Sequence, residues 1–193
     1  MDADEKEIWK RRIALMAVIG LIVAIPVTIV LRGGSGDPEP TVTPVTPPQA
    51  GDLEFDRDVG VELRLPKGWE RERKESFVVF RSKDRHVLIS ISVPGPASDA
   101  SEIHKQAIDA LEETHDAVEI VDRAKGKQLG GRPAQTAVVS ARNRENQNDL
   151  RILIATAKGE NLAYLVQVFA AAPNPGQALA EAQALLNGLR LVG

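Results

Sequence analysis

Beyond residue 52 the chain is written largely in steps of two. "GVELRLPKGW" sets Val61, Leu63 and Leu65 between polar neighbours. "HVLISISV" places Val87, Ile89, Ile91 and Val93 on one face and Leu88, Ser90 and Ser92 on the other. "LRILIATA" and "LAYLVQVFA" follow the same rule, with Leu150, Ile152 and Ile154, and then Leu162, Tyr164, Val166 and Val168, each on one side. Alternation of this length predicts half-buried antiparallel strands. "SFVVF" and "AVEIV" are shorter apolar runs that also read as strands. The polar, turn-forming segments 82–85, 144–149 and 158–161 read as hairpin connections.

Two segments leave this period for a helical one. In "SDASEIHKQAIDALEETHD", Ile103, Ala107, Ile108 and Leu111 form a stripe, and Asp99 with Glu102 spells a capping box. In "NPGQALAEAQALLNGLRL" the stripe is Leu179, Ala182, Leu186 and Leu189, with Asn174 as N-cap and Pro175 at the first helical position. The order is then about three strands, a helix, about four strands and a helix. That order predicts an α+β fold, an antiparallel sheet of about seven strands with two helices packed on it. No internal repeat is visible.

The first 51 residues follow other rules. Ile13 to Leu31 is a run of 19 residues without a charge. As a helix it covers roughly 28 Å, close to the ~30 Å hydrocarbon core of a bilayer. Secretory signals have shorter apolar regions and end in a small-x-small site, whereas this run ends in "TIVLRGG". An uncleaved transmembrane anchor is expected, with cleavage near Gly34 and Gly36 the minor alternative. Lys10, Arg11 and Arg12 abut the run on one side and Arg32 stands alone on the other. The positive-inside rule then makes residues 1–12 a cytoplasmic tail and puts everything after the span outside. Trp9 stands where an interfacial aromatic is expected. Residues 32–51 hold five prolines and four glycines and offer almost nothing to bury, so they read as an extended, disordered tether. Its "TVTPVTPP" also matches Thr/Pro-rich stalks that carry O-linked sugars. Residues 52–193 form the outer domain, and the expected address is the plasma membrane of a bacterium.

Composition removes whole classes of chemistry. The chain has no cysteine, which excludes disulfides, thiolate metal sites, cysteine nucleophiles and lipid attachment through cysteine. Net charge is −3, and from Asp52 onward 19 Lys/Arg face 21 Asp/Glu, so no nucleic-acid footprint is present. No G-x-S-x-G occurs, and "GKQLGG" has neither the Walker spacing nor its Lys-Ser/Thr ending. His104 and His115, eleven apart on the first helix, share an azimuth but lie roughly 16 Å apart, too far for one metal. His86 follows the 82–85 hairpin and is expected to be exposed. No cofactor or catalytic constellation emerges. The starting point for a binding surface is Pro66, Lys67, Gly68 and Trp69, because Trp69 is the only tryptophan of the domain. The plainer role for Trp69 is a plug at one end of the sandwich.

Three stretches carry a family likeness. "GVELRLPKGWE" resembles the strand and Pro-x-Gly-Trp opening of PsbP-like domains, and "GGRPAQTAVVSA" is similar to their Gly-x-Pro-Ala strand start. "NLAYLVQVFAAAPNPGQALAEAQALLNGLRL" resembles their closing strand, Tyr included, and terminal helix. That family includes photosystem-associated extrinsic subunits, a Ran-binding import factor and bacterial secreted lipoproteins of the LpqN type. The resemblance implies a fold and no shared chemistry. This chain departs from the lipoproteins by lacking their cysteine, and the uncleaved anchor would stand in for the lipid. The expected function is a non-enzymatic, membrane-tethered binding or scaffold domain engaging an envelope protein or component. The rival is an envelope enzyme or small-ligand carrier with a site assembled from distant residues.

Overall fold

The computed structural model describes residues 53–192 apart from 57–58, 75–76 and 172–173. The expected tail, anchor and tether lie outside the described residues. Among the described residues, no helix is long and apolar enough to cross a membrane.

Among the described residues, ten strands and two helices follow one another: β1 (Leu53–Asp56), β2 (Val61–Arg64), β3 (Glu70–Lys74), β4 (Phe77–Arg81), β5 (Val87–Pro96), α1 (Ala100–Thr114), β6 (His115–Leu129), β7 (Arg132–Asn143), β8 (Asp149–Lys158), β9 (Leu162–Ala171), α2 (Pro175–Leu186) and β10 (Arg190–Leu191). Seven strands form one sheet in the order β3-β4-β5-β9-β8-β7-β6, and β1-β2-β10 form a second. Every pairing is antiparallel. The α+β class, the large antiparallel sheet and the two packed helices match the sequence reading; β3 completes the seven strands of that sheet, and the strand at Val61–Leu65, expected in it, belongs instead to a small second sheet. Its outer strands were not legible, because β1 and β10 are four and two residues long, too short to show a period.

The large sheet is covered on both faces, which makes three layers. On one face, Ile103, Ala107, Ile108 and Leu111 of α1 pack over Ala137, Val139, Ile152, Ile154 and Leu165. On the other, Leu179, Ala182, Leu185 and Leu186 of α2 join Val61, Leu63 and Leu191 of the small sheet over Val78, Phe80, Ile89, Leu153, Tyr164 and Val166. This corrects the half-buried reading of β8 and β9. Consecutive residues Ile152, Leu153 and Ile154 serve alternate cores, so these central strands are apolar on both sides.

Two local expectations also change. Asp99 makes no side-chain cap, because a 3₁₀ turn at Ala97–Asp99 already puts it at φ −94°, ψ 7°, outside the extended conformation a cap requires. Its carboxylate accepts from the Ser98 hydroxyl instead (2.8 Å), and Glu102 accepts from Gln106 (2.9 Å). The far end of α1 is closed from outside the helix. The Arg144 guanidinium donates to the carbonyls of Glu113, Glu112 and His115 and to Asp116, so a cation satisfies the orphan acceptors of the last turn.

Candidate functional site

Pro66 to Trp69 is a tight turn: the Trp69 N–H donates to the Pro66 carbonyl (3.2 Å), with Gly68 at φ +90° in the third position. A type II turn demands that left-handed third residue, which accounts for the Pro-x-Gly-Trp pattern. The turn delivers Trp69, half-buried and packed on the edge of the core that α2 covers. Its remaining surface lines a groove.

The opposite wall of the groove comes from the β4–β5 hairpin. The Ser82 hydroxyl donates to Asp84 (2.5 Å) and accepts from the Val87 N–H (3.0 Å), and the His86 N–H donates to Asp84 (3.2 Å). Burial pushes the Asp84 carboxyl up, but the Ser82 hydroxyl, the His86 amide and the His86 ring together hold it below the usual range. The loop is also tied to the sheet, because the Ala171 N–H donates to the His86 carbonyl (2.9 Å). His86 is half-buried rather than exposed, since this tie draws it against β9. Asn174, Ala178 and Glu181, one face of α2 at helical spacing, complete the enclosure.

The result is an open groove of ≈ 630 Å³. Trp69, Val87, Ala171 and Ala178 give it an apolar floor, and Lys67, Lys83, Asp84, His86 and Glu181 a polar rim of both signs. Such a volume suits a drug-sized molecule or a short segment of polymer. Of the four residues singled out in the sequence, Lys67 and Trp69 line this groove and Pro66 and Gly68 shape the turn behind them. The hairpin and helix contributions were missed. They lie up to about 110 residues away, and only the "SKDR" turn left a trace in the sequence.

The remaining histidines are separate. His104 is buried, with Nδ1 3.2 Å from the Thr156 hydroxyl. His115 stands just past the helix, as the first residue of β6, and stacks on Phe169 (ring centroids 6.3 Å apart). Among the described residues, no three of His, Asp and Glu gather where a metal could be held.

Burial, then Arg123, pushes the His104 imidazole below its usual range. Burial also dominates at His115, with Arg144 adding to it and the Leu111 carbonyl and Asp116 opposing. Both are therefore favoured neutral in the folded chain. Below the unfolded value of about 6.5, the unfolded chain binds more protons than the folded one, so stability falls as pH drops through that value. The loss levels off only below the folded values. Thermal melts between pH 7.5 and 5 are expected to show a falling Tm. A His104→Gln/His115→Gln double variant should flatten that slope; an unchanged slope would mean other groups carry it.

The architecture is that of PsbP-like domains. Residues of this chain superpose on the solution structure of the cyanobacterial PsbP (CyanoP) of Synechocystis with a TM-score of 0.51 and 15% identity, over 74% of this chain and 92% of that one. LpqN of Mycobacterium tuberculosis, a protein involved in cell envelope biogenesis, superposes with a TM-score of 0.49 and 12% identity, over 69% and 83% of the two chains. No family model matches the sequence, and no curated protein matches it. At 15% identity the likeness to the cyanobacterial PsbP defines the fold and leaves the chemistry to the site itself.

Proposed function

We propose that the chain is a single-pass membrane protein of the bacterial envelope, cytoplasmic at its N-terminus. Its PsbP-like domain works outside the cell as a non-enzymatic binding module that holds an envelope protein or component in the Trp69 groove. The observation that carries this reading is the groove itself, an aromatic and apolar floor inside a rim of both charges. Tryptophan in such a setting supplies large contact area at low entropic cost, and the mixed rim supplies donors and acceptors for orientation. The 19-residue apolar run and its flanking cations support the address. Because Leu53 pairs with Arg64, a tether ending at residue 51 would join the domain beside the 66–69 turn, so the groove would sit at the tethered end.

In-cell crosslinking of the full-length chain, followed by purification and mass spectrometry, tests the binding role. One specific envelope component should be recovered, and Trp69→Ala should cut its yield about tenfold or more, as for a central interface tryptophan. An identical yield from that variant would remove the groove from the account. Protease treatment of intact cells tests the address: digestion of the outer domain is expected, and protection until lysis would reverse the orientation.

The second reading, a small-ligand carrier, draws on the same groove, because Asp84, His86 and Glu181 converge there from two elements. Recovery of the chain alone, with no crosslinked component, would favour it.

A further inference from the structure

A second cleft, of ≈ 370 Å³, lies on the other face of the large sheet, between α1 and the β6–β7 edge. The helix contributes Ser101, His104, Lys105 and Asp109, and the strands contribute Arg123, Gln135 and Thr136. Two contacts frame it. The Gln135 amide donates to the Ser101 hydroxyl (2.7 Å), strapping the helix to β7, and the buried His104 is oriented by Thr156 of β8.

The cations here outnumber the carboxylates. Among the described residues, neither Lys105 nor Arg123 forms an ion pair with a carboxylate, although Asp109 lines the same cleft. The field of Arg123 reaches His104 and adds to burial in disfavouring its protonation. Two cations and a neutral imidazole, with hydroxyl and amide donors, thus stand around a space against one carboxylate. A planar guanidinium and an ammonium on opposite walls suit an oxyanion, and a guanidinium can grip one through two hydrogen bonds. The volume exceeds a bare anion, which leaves room for an organic portion along Ile108 and Ala124.

We propose that the cleft between α1 and β6–β7 binds a small organic oxyanion, a carboxylate or a phosphate ester, between Arg123 and Lys105, with Asp109 free to accept from a ligand hydroxyl. This site is independent of the Trp69 groove. Anion binding would offset the charge of Arg123 at His104. The groups that share the cleft with that ring are Arg123 of β6, Lys105, Asp109 and Ser101 of α1, and the neutral Gln135 and Thr136 of β7, with Thr156 of β8 on its Nδ1. Of these, the cations are what the anion neutralises, so the His104 midpoint would rise.

The test is a titration of the full-length, isotope-labelled chain with inorganic phosphate and with acetate at constant ionic strength, reading the histidine ring resonances and using chloride as control. The His104 signals should move saturably with phosphate or acetate and not with chloride, with an upward shift of its titration midpoint. Arg123→Gln should weaken binding about tenfold or more and Lys105→Gln severalfold, while the His115 signals report an intact fold. Response to phosphate alone would assign a phosphate ester, and response to acetate alone a carboxylate. An equal response to chloride, or undiminished binding by Arg123→Gln with unchanged His115 signals, would overturn the site.

Discussion

Gly130→Ala is expected to lower stability by about 3 kcal/mol, whereas Gly131→Ala, one residue on, should cost about 1 kcal/mol. Both glycines have left-handed backbones, at φ +59° and +78°, so any side chain there carries the same conformational penalty. The surroundings differ. A Cβ on Gly130 would stand 2.6 Å from Leu191 Cγ and 2.9 Å from the Leu191 backbone nitrogen, while one on Gly131 would meet nothing within 4 Å. A side-chain clash could relax; one with backbone cannot without moving the strand. That strand is β10, which pairs with β2 through Leu191 and Val61 and is fixed beyond by the Val192 N–H on the Gly60 carbonyl (2.8 Å). The alanine would therefore pry the small sheet from the end of the β6–β7 hairpin. For a domain of this size the difference amounts to a Tm about 10 °C lower for Gly130→Ala and about 3 °C lower for Gly131→Ala. Parallel thermal melts of the two full-length variants check it, and equal losses would mean that the approach of β10 carries no energy.

The "GG" pair also shows what the sequence could and could not reveal. It stands out as part of a family-like pattern and fails as a phosphate loop, yet the reason for Gly130 is a strand 60 residues downstream. Strands β2, β5, β8 and β9 and the two helices were legible because each carries a long enough period on its own, and β4 as a short apolar run. β3, "ERERK", left no strand signal, because an edge strand with both faces near water has no apolar alternation to display. β6 was seen as five residues and spans fifteen. Its register against β7 slips at three places, near Ala117, at Val121 and at Gly126, and each extra residue resets the alternation. The same bulges keep this long edge from templating another strand. At the groove, Trp69 was legible by its rarity and its turn by Pro-x-Gly. The walls were not, since hydrogen bonds from Ser82 to Asp84 and from Ala171 to His86 are consequences of packing.

Tyr164→Ala should cost more still, about 4 kcal/mol, while Tyr164→Phe should stay within about 1 kcal/mol. Tyr164 is 1% exposed and sits in β9, the middle strand of the seven. Its neighbours across the sheet are small. Ala157 of β8 lies directly opposite and Ala134 of β7 opposite that, all three in the core beneath α2 and the small sheet. On its other side the β5 register shifts between Ser92 and Gly95, which sets the bulge residues Val93 and Pro94 against it, and Val93 packs against the same core. One large ring thus fills the space left by two alanines, and truncating it leaves three alanines in a row across the sheet centre. Collapse is hindered because the backbones of β7, β8 and β9 are fixed by continuous ladders, so the cavity term should be near its full value. The phenylalanine variant keeps that volume and relieves the burial of the phenol, the main influence raising the Tyr164 pKa. Urea unfolding of the full-length chain should show a much lower midpoint at an unchanged m-value for the alanine variant. Domains of ordinary stability have about 5–15 kcal/mol to lose, so that single change should bring this one close to its limit at 37 °C. A loss below about 1 kcal/mol from Tyr164→Ala would mean the three-layer core closes over the gap, and the ring is then an occupant of the core rather than its keystone.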